Sequence, residues 1–133
     1  MENKDYTVEI LEIIRSNTSP GIMRNRLEDY HANDLAEVFP QLKVSERRKI
    51  CRILDLDMLS DIFEHIDEQE AAEYLDEMDI KKAAAILSAM ETDAVVDVLQ
   101  MIPKEKKNLL IELMDDDARK DMAIIASFDE DEI

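Results

Sequence analysis

The sequence predicts an all-α fold: a right-handed superhelix, or α-solenoid, of about ten short helices built on a 12-residue repeat. Three observations predict it. The chain from Ala32 to Ser127 divides into eight units of 12 residues. Each unit carries apolar residues at the same places. The whole chain of 133 residues holds a single glycine, Gly21, so the turns and loops that depend on glycine are missing.

The first element is a helix over Tyr6–Ser16, with Val8, Leu11 and Ile14 on one face. Ser19-Pro20-Gly21 is a turn, and Pro20 suits the first turn of a second helix running to about Asp29. The eight units follow: ANDLAEVFPQLK, VSERRKICRILD, LDMLSDIFEHID, EQEAAEYLDEMD, IKKAAAILSAME, TDAVVDVLQMIP, KEKKNLLIELMD and DDARKDMAIIAS. Their seventh, eighth and eleventh positions are apolar in all 24 cases, where composition alone would give about 11. The fourth position adds Leu35, Leu59, Ala71, Ala83 and Val95. Positions 4, 7, 8 and 11 form the i, i+3, i+4, i+7 stripe of an amphipathic helix.

The period also sets where helices end. Twelve residues at about 100° each overshoot three full circles by about 120°. A continuous helix would swing its stripe away from any single core, so each unit is one short helix followed by a turn that resets direction. Asp55, Asp67, Asp79 and Asp115 stand at twelfth positions, where an aspartate can cap the next helix. Asp67 with Glu70 has capping-box spacing, and Ser45 and Thr92 are alternative caps. Residues 1–127 read as one helical domain, and 128–133 (FDEDEI after Ser127) as the start of a linker.

Charge excludes several functions. Sixteen Lys and Arg face 33 Asp and Glu, a net charge of −17. A nucleic-acid binder needs a basic face, and an anionic membrane surface would repel this chain. An apolar content of 46% argues against disorder. The N-terminus MENKDYTVEI has no signal-peptide core, and no apolar run is longer than Ala83–Leu87, which falls far short of a bilayer span. The expected location is cytoplasmic. Glycine scarcity excludes phosphate loops and EF-hands.

Little suggests catalysis. Cys51 occupies an apolar column and reads as a buried structural thiol, and nothing brings His31 or His65 to it. With one cysteine and two histidines, a zinc site has too few ligands. Met78, Met90 and Met114 lie in the eleventh column and read as core. The chain is therefore not expected to be an enzyme.

The acids are unevenly placed. The 28 residues between Arg52 and Lys81 hold eleven acids and no Lys or Arg. Asp57/Asp61, Asp93/Asp97 and Asp117/Asp121 are like-charge i,i+4 pairs, each costing a few tenths of a kcal/mol on a helix. A hard divalent cation would relieve that cost, and Mg²⁺ can be held by one or two carboxylates with waters completing its shell. A solvated acidic face is the plainer reading of any one pair.

HANDLAEVFPQL at 31–42 resembles the His-Pro-x-Asp-Leu-Ala opening of the cytosolic N-terminal domain of the MgtE magnesium transporter family, with Ala32 in place of Pro. EQEAAEYLDEMD at 68–79 is similar to that domain's recurring Pro-Glu-Glu-Ala-Ala-Glu-x-Leu helix, with Gln69 at an often acidic place. SFDEDEI resembles the acidic segment before the family's first CBS domain. The likeness covers about residues 5–133.

The resemblance implies a superhelical domain that precedes two CBS domains, a connecting helix and a Mg²⁺-selective transmembrane channel. It implies a homodimeric full-length protein at the cytosolic face of the membrane, with no membrane insertion of this chain. N and CBS domains would bind Mg²⁺ between them and hold the gate closed. Laid without gaps from His31, the family's N-domain ligands fall on Asp61, Asp93 and Asp97, and a neighbouring acidic position falls on Ala94. A rival expectation is a metal-independent interaction scaffold like the helical middle domain of the flagellar motor switch protein FliG.

Overall fold

The computed structural model describes the backbone of residues 5–131 and the side chains of residues 5–123. Among the described residues there are ten α-helices and no strand. They are α1 (Thr7–Ile14), α2 (Pro20–Leu27), α3 (Ala32–Val38), α4 (Val44–Ile53), α5 (Leu56–Glu64), α6 (Glu68–Asp76), α7 (Ile80–Ala89), α8 (Thr92–Leu99), α9 (Lys104–Leu113) and α10 (Asp116–Asp131), with a 3-10 turn at Phe39–Gln41 after α3. From α3 onward every helix begins 12 residues after the last, at the first position of its sequence unit.

The columns explain this phasing. All eight seventh-column residues, Val38 through Met122, are buried. The eighth column is buried from Phe39 to Leu99 but ends in half-exposed Ile111 and exposed Ala123. The eleventh column works differently from a helical stripe. Leu42, Leu54, Met90 and Met114 stand just past a helix or 3-10 turn, in extended backbone with ψ between 150° and 161°, and are buried there. Burying that side chain pulls the chain out of the helix. The next residue, at position 12, is also extended and caps the following helix, as at Asp55 (φ −77°, ψ 169°). No described residue has a positive φ. Resetting through extended residues needs no left-handed position, so the turns do without glycine.

The aspartate caps are present. Asp55 accepts from the Met58 amide at 2.9 Å, Asp67 from Gln69 at 3.2 Å, and Asp79 from Lys81 at 3.2 Å. Ser45 and Thr92 are not caps; they lie inside α4 and α8, whose capping positions are Lys43 and Glu91. At α4 it is Glu46 that reaches back, accepting from the Lys43 amide at 2.8 Å. Ser19 caps α2 ahead of Pro20. On the expected face of α1, Ile14 is buried and Leu11 half-buried, but Val8 is 67% exposed and Ile10 is buried in its place. Residues 128–131, expected to begin a linker, continue α10.

The chain forms two compact units, residues 1–66 and 67–133. In the first, α1 packs on α3, α3 on α5 and α2 on α4, with the Phe39 and Phe63 rings edge to face at 5.8 Å. In the second, α6 packs on α8, α8 on α10 and α7 on α9. Within each unit the helices thus stack mainly on the helix two places away, the arrangement of helical-repeat architectures.

Candidate metal centre

Asp61 lies in the middle of α5, exposed, one turn after Asp57. Its backbone carbonyl meets His65 Nδ1 at 2.8 Å. A carbonyl can only accept, so Nδ1 carries the hydrogen. Asp93 is in the first turn of α8 and Asp97 one turn on, both exposed. At i and i+4 the two carboxylates stand on one side of the helix. Among the described residues, none of Asp61, Asp93 and Asp97 makes a hydrogen bond through its carboxylate or an ion pair.

Their neighbours in the acidic stretch are engaged elsewhere. Asp55 meets Arg24 at 3.4 Å besides capping α5, Asp76 pairs with Lys106 of α9, and Asp67 and Asp79 cap helices. Asp57, Asp61, Glu68, Glu70 and Glu73 keep no such partner among the described residues.

The structure brings Asp93 and Asp97 together on α8 and places Asp61 in the other compact unit. Among the described residues no three His, Cys, Asp or Glu side chains form a ready-made metal cage. Neither described cavity is lined by the three aspartates. One of about 250 Å³ lies in the second unit beside Glu73, Asp76, Met101 and Lys106. Another of about 170 Å³ is lined by Thr92, Asp115, Asp117 and Asp121. Sequence reasoning left the third pair, Asp117/Asp121, outside the candidate set, and the structure sets it on the wall of this second cavity. Cys51 is buried, as a structural thiol should be.

The donor chemistry fits Mg²⁺. Exposed, unpaired aspartate oxygens are hard ligands, and Mg²⁺ keeps several waters while using one or two carboxylates. Asp93 and Asp97 could supply both from one helix.

A profile described as the MgtE intracellular N domain matches residues 30–131, most of the chain and all three aspartates. The chain belongs to the MgtE intracellular N domain family. Over 99% of its length it is 28% identical to a protein named magnesium transporter MgtE from Thermus thermophilus. The crystal structure of the soluble part of a magnesium transporter matches 88% of the chain with a TM-score of 0.79 and 26% identity. The crystal structure of the cytosolic domain of the Mg²⁺ channel MgtE in complex with ATP matches the same share at a TM-score of 0.75 and 25% identity. The chain spans 30% of the length of the Thermus transporter, and 46% and 48% of the two solved chains. The all-helical, repeat-built fold expected from the period of 12 is therefore that of the solved MgtE cytosolic domain. No described helix is long and apolar enough to cross a membrane.

Proposed function

We propose that this MgtE N domain is a regulatory Mg²⁺ sensor, with no enzymatic activity of its own. The observation that carries this reading is the Asp93/Asp97 pair: two exposed carboxylates one turn apart on α8, without ion pairs among the described residues, inside the segment matched by the family. Asp61 on α5 is the third proposed ligand. The cation neutralises like charges that repel on the bare helix. The ligands not supplied here come from water and from CBS domains of the same full-length protein, which is a homodimer with its own transmembrane domain. Residues 128–133 lead towards those CBS domains.

The mechanism is a population shift. At low Mg²⁺ two acidic surfaces repel one another and the domain is loosely held. Mg²⁺ bound between them favours the docked, closed-gate arrangement by its differential affinity and no more. Several weak sites must act together.

The test is a Mg²⁺ titration of the full-length protein followed by protease protection of this domain. Protection should rise at millimolar Mg²⁺, and the double variant Asp93→Asn, Asp97→Asn should need markedly more. An unchanged response in the double variant would remove the site assignment while leaving the fold untouched.

A further inference from the structure

In the second compact unit α6 packs mainly on α7 and α8, and α9 mainly on α7, which leaves a notch between α6 and α9. This notch is the cavity of about 250 Å³. Gln69, Ala72, Glu73 and Asp76 form its α6 wall, spaced i, i+3, i+4 and i+7 and so on one side of the helix. Lys106 and Leu110, one turn apart, form its α9 wall. The turn between α8 and α9 adds Met101, Ile102 and Pro103.

The notch is apolar inside and acidic on one wall. Ala72, Leu75 and Leu110 line it and are buried. Met101 lines it too, and at 44% exposure it is the most open methionine among the described residues. The charges do not cancel. Of the cations of α9 only Lys106 reaches the notch, and Asp76 holds it in an ion pair. Glu73 is exposed, with no hydrogen bond or ion pair among the described residues. Residues 67–79, from the cap of α6 to the cap of α7, carry seven acids and no Lys or Arg. An apolar hollow beside an uncompensated carboxylate suits an apolar group with a cation next to it.

We propose that this notch docks a basic segment of a partner polypeptide, one phenylalanine seated against Met101 and Leu110 and a neighbouring lysine or arginine paired with Glu73. Size selects a single side chain as the anchor: about 250 Å³ is less than the roughly 300–1,000 Å³ of sites that enclose small-molecule ligands. The Met101 thioether favours an aromatic ring as that anchor. Charge complementarity with Glu73 and its acidic flanks selects a basic segment. A second copy of the chain is disfavoured, because it brings a net charge of −17 of its own. Asp61, Asp93 and Asp97 do not line the notch, so this surface stands whether or not they bind metal.

The probe is a short synthetic peptide with one phenylalanine between lysines, titrated into the full chain and followed by amide chemical shifts. At about 0.15 M salt, screening beyond about 8 Å suppresses diffuse attraction to an acidic chain. The expected result is shifts confined to α6, α9 and residues 101–103. Exchanging the phenylalanine for serine should weaken binding about tenfold. Glu73→Lys and Met101→Ser should each weaken it similarly, and both positions are exposed, so the fold survives. Binding should persist in Asp93→Asn, Asp97→Asn. Equal binding of the serine peptide, shifts on the acids of α5 and α8 instead, indifference to Glu73→Lys and Met101→Ser, equal affinity for phenethylamine alone, or self-association through the same residues would each overturn the proposal.

Discussion

Arg47 occupies the fourth position of its unit, where most units place an apolar residue, yet it is half-buried. Its Nη1 donates to the Phe39 carbonyl at 3.0 Å and the Leu42 carbonyl at 2.6 Å. It thus adds a second bond to the Phe39 carbonyl, which already accepts the Leu42 amide, and binds the Leu42 carbonyl, a use of the fourth column that hydropathy alone does not reveal. Arg47→Met keeps the aliphatic stem but removes both bonds, so urea unfolding should show a loss of about 1–3 kcal/mol. Glu46 makes a prediction about pH. The hydrogen bond from Arg15, at 2.9 Å, and the one from the Lys43 amide hold its carboxyl below the usual glutamate range. A lowered folded-state pKa stabilises the fold above the unfolded value and the benefit is lost as pH falls through the folded one. Glu46→Gln should therefore be less stable than the natural chain near neutral pH, and the two melting curves should converge below about pH 4.

At the scale of the helix, stability lies in columns and caps. Ile86 on α7 has no exposed surface, and truncating it leaves a cavity that neighbours fill only in part. Ile86→Ala should cost about 2–5 kcal/mol in denaturant unfolding. Asp79 caps the same helix through the amides of Lys81 and Lys82, and Asp79→Ala should cost about 0.5–2 kcal/mol. The start of every helix from α3 to α10 is legible because the seventh and eighth columns repeat without a gap. Outside the repeat the reading was weaker. Val8 has the spacing of a core residue, but the main contacts of α1, the first described helix, are with α2 and α3, and Val8 stays 67% exposed.

Across the whole molecule, like charge opposes compactness. A net of −17 on 133 residues repels itself, and salt shortens the reach of that repulsion to about 10 Å at 0.1 M. The melting temperature should rise when NaCl is added to a low-salt buffer. If the proposed sites bind, Mg²⁺ at equal ionic strength should raise it further, and Asp93→Asn, Asp97→Asn should reduce only that extra part. A melting temperature indifferent to NaCl would mean that charge repulsion contributes little to the folded state.

The sequence by itself determined the all-helical class, the number and phase of the repeated helices, the buried columns and the acidic character, because each follows from a period and a composition that neighbouring residues enforce locally. Tertiary structure decided how the eleventh column acts: Leu42, Leu54, Met90 and Met114 are extended and buried at the helix ends, whereas Ile66, Met78 and Ile102 follow helices that have already ended and are half-buried. It also decided which acids are engaged: Asp55 and Asp76 look like Asp61 and Asp97 in the sequence, but Arg24 and Lys106 reach only the first two.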